Sequence, residues 1–155
     1  MTAACGAEAM VRRIAVLMTC HDRKPLTLRF LDALFGASTR LAEAASIDVF
    51  LVDDGCTDGT GEAVRRRFPG VRVIAGSGSL YWCGGMRKAW EEAAKGDYDA
   101  YLWLNDDVVL HEDSLRRLVS TLDQGCRDDG RGGIVVGSTL SEVGAGATVT
   151  SYGAM

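Results

Sequence analysis

The chain lacks most of the residues that mark special protein classes. Its five cysteines, Cys5, Cys20, Cys56, Cys83 and Cys126, are odd in number, scattered and without a Cys-x-x-Cys pair. That pattern excludes a disulfide framework and a zinc knuckle, leaving reduced thiols in a cytosolic setting as the reading. No apolar run approaches the roughly 20 residues that cross a bilayer. Arg12 and Arg13 precede the apolar Ile14 to Met18, but that run is shorter than the roughly 7–15 residues of a signal core. An excess of basic charge is also missing: 17 Lys plus Arg against 21 Asp plus Glu leave a net −4. Overall charge therefore gives no attraction to nucleic acid or anionic lipid, and a polyanionic ligand needs local help from a cation or a helix terminus.

Glycine is in excess, with 19 in 155 residues where an average of about 7% would give about 11. Tight turns and close backbone approaches follow. The hydrophobic share of 47% and charged share of 25% are those of a globular chain. A chain of this size buries roughly 68–70% of its unfolded surface, so a single domain over residues 1–155 is expected.

Apolar runs and helical periodicities alternate. Strands are expected at Ile14–Met18, Ile47–Val52, Val71–Ile74, Tyr101–Leu104 and Ile134–Val136. Helices are expected from Pro25, with Leu28, Leu31 and Phe35 on one face; over Gly61–Phe68; over Gly84–Ala94; and from Asp113 or Ser114, with Leu115, Leu118, Val119 and Leu122 aligned. Such alternation means an α/β fold with a mainly parallel sheet flanked by helices. An uncovered sheet edge after Val136 would make a homodimer, or exchange of C-terminal segments, a route to covering it.

Ligands of such sheets bind outside the carboxyl ends of the strands, and polar residues gather there. Thr19, Cys20, His21 and Asp22 end the first strand, Asp53 and Asp54 the second, and Asn105, Asp106 and Asp107 the fourth. Like charges brought together need a compensating cation or donor. Asp107 can hold a hard divalent cation, since Mg²⁺ uses one or two carboxylates and completes its shell with water and phosphates; an Asx turn accounts for the same residues structurally. Asp53 or Asp54 can accept from a base N–H or a ribose hydroxyl, while Gly55 to Thr60 read as a turn and helix cap. The glycine-rich stretch from Gly76 to Gly85 is not a phosphate loop, because no Lys-Ser or Lys-Thr follows. Gly84 and Gly85, read as a helix N-terminus, would present backbone N–H groups to an anion. Arg87, one turn in, reaches a phosphate or is a solvated helix charge. Cys20 and His21 make a poor nucleophile pair, since strand neighbours point to opposite faces.

Taken together, Thr19-Cys20-His21-Asp22-Arg23, Val52-Asp53-Asp54-Gly55-Cys56-Thr57-Asp58-Gly59-Thr60, Leu80 to Met86 and Trp103-Leu104-Asn105-Asp106-Asp107-Val108 resemble the family 2 glycosyltransferases of GT-A fold, over roughly residues 14–137. Cys56 stands where that family usually has Ser, and Asn105 where its Asp-x-Asp motif begins. The resemblance implies metal-assisted transfer of a sugar from a nucleotide-diphosphate sugar to a saccharide or other hydroxyl acceptor, with inversion, in cell-wall or polysaccharide synthesis. Mn²⁺ or Mg²⁺ would be the cofactor. Thr19 and His21 would border the base, Asp54 would pair with its edge, Asp106 would meet the ribose and Asp107 would ligate the metal. Arg23 and Asn105 lie in the matching stretches and count with the donor-binding residues. In that family the acceptor site and general base lie further along, and nothing after Gly137 matches a base motif. The expected fold is thus GT-A-like with the C-terminal acceptor half missing. Its place would be the cytoplasm, or the inner face of a membrane. The alternatives are a donor-binding module without independent activity and, less well matched after the first strand, a nucleotidyltransferase.

Overall fold

The computed structural model describes residues 12–41, 45–129, 133–140 and 149–150. The first apolar run lies in β1 (Arg13–Cys20), where Ile14 to Met18 are all buried. Continuous burial means that both faces are covered, as in a parallel strand between helical layers. Next comes α1 (Lys24–Ser38), with Pro25 in its first turn, where a missing N–H costs nothing, and a 3₁₀ turn (Thr39–Leu41). Then β2 (Ser46–Asp53), α2 (Thr60–Arg67), β3 (Arg72–Ala75), α3 (Tyr81–Ala93), β4 (Ala100–Trp103) and α4 (Ser114–Asp129) alternate. Two short strands, β5 (Thr139–Leu140) and β6 (Val149–Thr150), pair antiparallel. No helix among the described residues is long and apolar enough to cross a membrane.

The main sheet has the order β3-β2-β1-β4, with every pairing parallel. Strand order reverses between β1 and β4, so the carboxyl edge there is a switch point where an open sheet leaves a crevice. Register makes that edge level. Cys20 lies opposite Asp53 and Leu17 opposite Trp103, so His21, Asp54 and Asn105 leave the sheet on one rim. Side-chain alternation divides the core. Ile14, Val16 and Met18 pack with Phe30, Leu31 and Leu34 of α1, Val64 of α2 and Leu115 of α4. Ala15, Leu17, Phe50 and Val52 face Met86, Ala89 and Ala93 of α3.

Two expectations need correction. Helix α3 begins at Tyr81 rather than Gly84, and Gly84 N–H is already spent on Leu80 O at 3.1 Å. Gly84 and Gly85 are helix-interior positions and do not present a row of free amides. Gly85 has a packing role instead: a Cβ there would stand 2.2 Å from Thr19 Oγ1. Gly85→Ala is therefore expected to push α3 off β1 at a cost of about 1–3 kcal/mol. In a melt this is a fall in Tm of about 3–10 °C; an unchanged Tm would show the contact to be soft.

The second correction is the expected strand at Ile134–Val136. Residues 133–138 form no strand, and Ile134 is 94% exposed. β-branched residues favour a strand only where a partner offers pairing and burial. Here the segment runs beside α4 instead, and Ile134 and Val135 border a cavity of about 330 Å³ against Leu102, Leu115, Leu118 and Leu122. The expected edge strand after Val136 is therefore absent, and on that side the described sheet ends at β4.

Candidate functional site

At the β1–β4 switch point lies a pocket of about 320 Å³. Thr19, His21 and Arg23 line it from the end of β1, Asp54 from β2, and Asn105, Asp106 and Asp107 from β4. Seven of the residues singled out in the sequence thus converge.

Asp54 is the organising group. It is buried, and its carboxylate accepts backbone N–H groups of Gly78 at 2.8 Å, Leu80 at 2.9 Å and Tyr81 at 3.2 Å. One side chain thereby fixes the entry to α3 as a wall of the pocket. The turn after β2 meets this loop so closely that a Cβ on Gly55, at φ +70°, would lie 2.7 Å from Gly78 Cα. On the opposite side, the Asp54 carbonyl is 2.6 Å from His21 Nδ1. A carbonyl can only accept, so Nδ1 carries the proton and the ring is held at the pocket lip.

Asp106 and Asp107 form the acidic wall. Asp106 is buried and accepts from Thr27 Oγ1 at 2.7 Å. Asp107 is half exposed. The Arg23 guanidinium joins them, with Nη1 3.5 Å from Asp106 Oδ1 and 3.1 Å from Asp107 Oδ2. Trp82 Nε1 donates to Asn105 Oδ1 at 2.8 Å, tying the aromatic wall to the acidic one. Trp82 also meets Trp103 edge to face, with ring centroids 5.9 Å apart.

Sequence reasoning named no role for Cys20, Gly78, Tyr81 or Trp82, yet all four line the pocket. A signal was available for the aromatics: Leu80-Tyr81-Trp82 follows a Gly-Ser-Gly-Ser stretch, and three bulky side chains in a row are out of place in a solvated loop. Tyr81 is non-glycine at φ +54° and 83% exposed, an uncommon conformation held by the bond from its N–H to Asp54. Burial pushes the Cys20 thiol far up, with the neighbouring Cys56 adding to the shift, and Cys56 is raised chiefly by burial. Neither thiol is set up as a thiolate nucleophile.

Asp53, Gly84, Gly85 and Arg87 do not line the pocket. Asp53 accepts from Cys56 N–H at 2.9 Å, closing the turn, with its other oxygen against Gly61. Arg87 lies on the surface of α3 within 3.7 Å of Glu91, one turn on. Behind the pocket, Asp22 accepts backbone N–H groups of Thr57 at 2.6 Å and Asp58 at 3.2 Å, while Asp58 accepts from Lys24 and Thr60 N–H, each at 2.9 Å. Asp22, Cys56 and Asp58 bring ligand atoms within 4.8 Å of one another, but these carboxylates are already committed to the turn.

The Thr57 backbone N–H, chiefly, holds Asp22 below its ordinary value of 3.8. Bonding to Thr60 does the same for Asp58. A depressed folded pKa gives stability that is present above the unfolded value and is lost as pH falls through the folded one. The Tm gap between the wild type and Asp22→Asn should accordingly be constant near neutrality and close as pH drops below about 4. A gap independent of pH down to about 2 would contradict this origin.

The model described as Glycosyl transferase family 2 matches residues 15–139. The chain belongs to that family. No curated protein sequence matches this family 2 chain, but solved structures do. One is the mannosyltransferase from Pyrobaculum calidifontis in complex with GDP-Man and Mn²⁺, with TM-score 0.60 and 20% identity over 74% of this chain and 33% of that one. Another is glucosyl-3-phosphoglycerate synthase from Mycobacterium tuberculosis in complex with phosphoglyceric acid, with TM-score 0.51 and 20% identity over 74% of this chain and 40% of that one. At this identity the likeness shows the fold, which is GT-A. The family 2 chain spans about a third and two fifths of the lengths of these two proteins.

Proposed function

We propose that this family 2 domain binds a nucleoside-diphosphate sugar with a divalent cation at Asp107, and serves its transfer to a hydroxyl acceptor with inversion at the anomeric carbon. The observation that carries the reading is the convergence of the acidic end of β4, Arg23 and the Asp54–His21 lip on one pocket at the switch point. The solved mannosyltransferase holding GDP-Man and Mn²⁺ on the same fold supports it.

The donor set fits a hard cation. Asp107 offers a half-exposed carboxylate, and a cationic group, the Arg23 guanidinium, already lies against it. Mn²⁺ and Mg²⁺ both suit such oxygen ligands. When bound, the ion would neutralise charge developing on the departing diphosphate.

The chain's own residues do the rest. His21 and Thr19 border the base. Asp106, positioned by Thr27, accepts from a ribose hydroxyl, and Asp54 keeps the Gly78–Tyr81 wall in place. Arg23 offers forked N–H donors to phosphate oxygens. We assign the general base to a residue other than the pocket's carboxylates: Asp54 is filled by three N–H groups, Asp106 is buried against Thr27 and serves the ribose, and Asp107 is the metal ligand.

A donor-binding module without independent transfer is the second reading, favoured by a pocket whose lining residues all take donor-side roles. In either case a cytoplasmic setting suits the free thiols of Cys20 and Cys56, whose sulfurs are 3.7 Å apart. Melting curves with nucleoside diphosphates, with and without Mn²⁺, test the reading. Binding at 100 times Kd adds about 2.7 kcal/mol of stability, so the rise in Tm with nucleotide should be larger in the presence of Mn²⁺ than in its absence. No rise with any nucleotide would overturn it, and product formation with an acceptor panel would eliminate the module reading.

A further inference from the structure

Arg23 holds a position that the reading above gives to a metal ion. Its Nη1 is 3.1 Å from Asp107 Oδ2 and 3.5 Å from Asp106 Oδ1. Two adjacent carboxylates on one rim repel unless a cation lies between them, and in this structure that cation is the guanidinium.

The three groups differ in freedom. Asp106 is buried and bonded to Thr27. The Arg23 backbone is pinned as the N-cap of α1, where its carbonyl accepts from Thr27 N–H at 2.9 Å. The Arg23 side chain, by contrast, is 49% exposed, and its long stem leaves the head group free to move. The movable partner of Asp107 is therefore the guanidinium.

We propose that Arg23 is the resting counter-ion of Asp107, displaced by the divalent cation, and that its freed guanidinium turns to the diphosphate arriving with that cation. This rests on the donor-binding reading. It makes Arg23 a positioning residue with effects of opposite sign: it competes with the metal alone and assists the nucleotide once the metal is in place. A residue that only touched the nucleotide would leave binding of the metal alone unchanged, and a structural residue would weaken both on removal.

Mn²⁺ binding to the whole chain, followed by loss of the free-ion electron paramagnetic resonance signal without nucleotide, gives the first readout. Arg23→Gln should bind Mn²⁺ about threefold to fivefold more tightly than the wild type, the scale of a half-exposed ion pair. With saturating Mn²⁺, its affinity for GDP or UDP, whichever binds the wild type better, should fall about tenfold or more. Arg23→Lys keeps the charge but loses the forked contact. It should tighten Mn²⁺ by a smaller factor, whereas simple long-range repulsion predicts no change. Arg67→Gln, which removes a charge paired with Asp32 elsewhere, should leave Mn²⁺ affinity unchanged.

Equal or weaker Mn²⁺ binding by both Arg23 variants, with wild-type nucleotide binding intact, would overturn the proposal and leave the donor-binding reading standing. A wild-type chain that binds neither Mn²⁺ nor nucleotide would overturn both.

Discussion

Asp107→Ala is expected to weaken Mn²⁺-dependent binding of a nucleoside diphosphate on the order of a hundredfold, about 2.7 kcal/mol, while leaving the fold intact. The two halves of this result have different causes. Asp107 is half exposed and, among the described residues, its one charged partner is Arg23, and exposed ion pairs contribute only about 0–1 kcal/mol. Its loss should thus move Tm by no more than a few degrees. Asp106 is a poor replacement ligand, because it is buried and Thr27 Oγ1 holds its Oδ2 at 2.7 Å. Removing a carboxylate from a like-charged pair also lowers the repulsion felt by a diphosphate, so affinity without metal should stay level or rise slightly. Calorimetry with and without Mn²⁺ separates the two, and an unchanged metal-dependent increment would remove Asp107 from the metal site.

Asp54→Ala should behave in the opposite way, as a folding defect first. Three backbone N–H groups lose their acceptor at once, and bonds to a charged acceptor contribute about 1.5–3 kcal/mol each before any relaxation. Water can reach part of this loop, so the expected net loss is on the order of 3 kcal/mol, a fall in Tm of about 6–12 °C. Nucleotide affinity should drop with it, because Gly78, Tyr81 and Trp82 form the wall that Asp54 positions. Asp54→Asn keeps one acceptor oxygen and turns an amide N–H toward backbone N–H, so it should lie between Ala and the wild type. The resemblance alone implied that Asp54 pairs with the edge of the base. A variant with unchanged Tm and selectively lost nucleotide binding would favour that role over the loop-organising one.

Residues 14–104 carry most of what the sequence made legible. Apolar runs such as Ile47–Val52 and Tyr101–Leu104 lead into acidic clusters, and parallel pairing brings those ends to one rim because β1, β2 and β4 run in register. Four helices and four parallel strands were readable from periodicity, with boundaries displaced by a few residues. Those displacements mattered where they fell on chemistry: starting α3 at Tyr81 turned Gly84 and Gly85 from an anion cradle into a packing surface against Thr19. Asp53 and Asp54 look equivalent in sequence, yet only Asp54 lines the pocket, since consecutive residues leave a strand in opposite directions. Arg23 could be listed but not placed, because its reach to Asp107 spans two strands brought together only by the sheet order. Ile134–Val136 borders the same cavity as the β4 edge yet forms no ladder, and whether such a pairing forms is a condition no local pattern encodes.

Crystals of the chain grown with Mn²⁺ and a nucleoside diphosphate, read by the anomalous signal of manganese, test the account most directly. The ion should lie at roughly 2.0–2.2 Å from a carboxylate oxygen of Asp107, with the diphosphate beside it and the Arg23 guanidinium moved off that oxygen. A manganese peak among Asp22, Cys56 and Asp58, or a nucleotide bound away from the β1–β4 crevice, would contradict it.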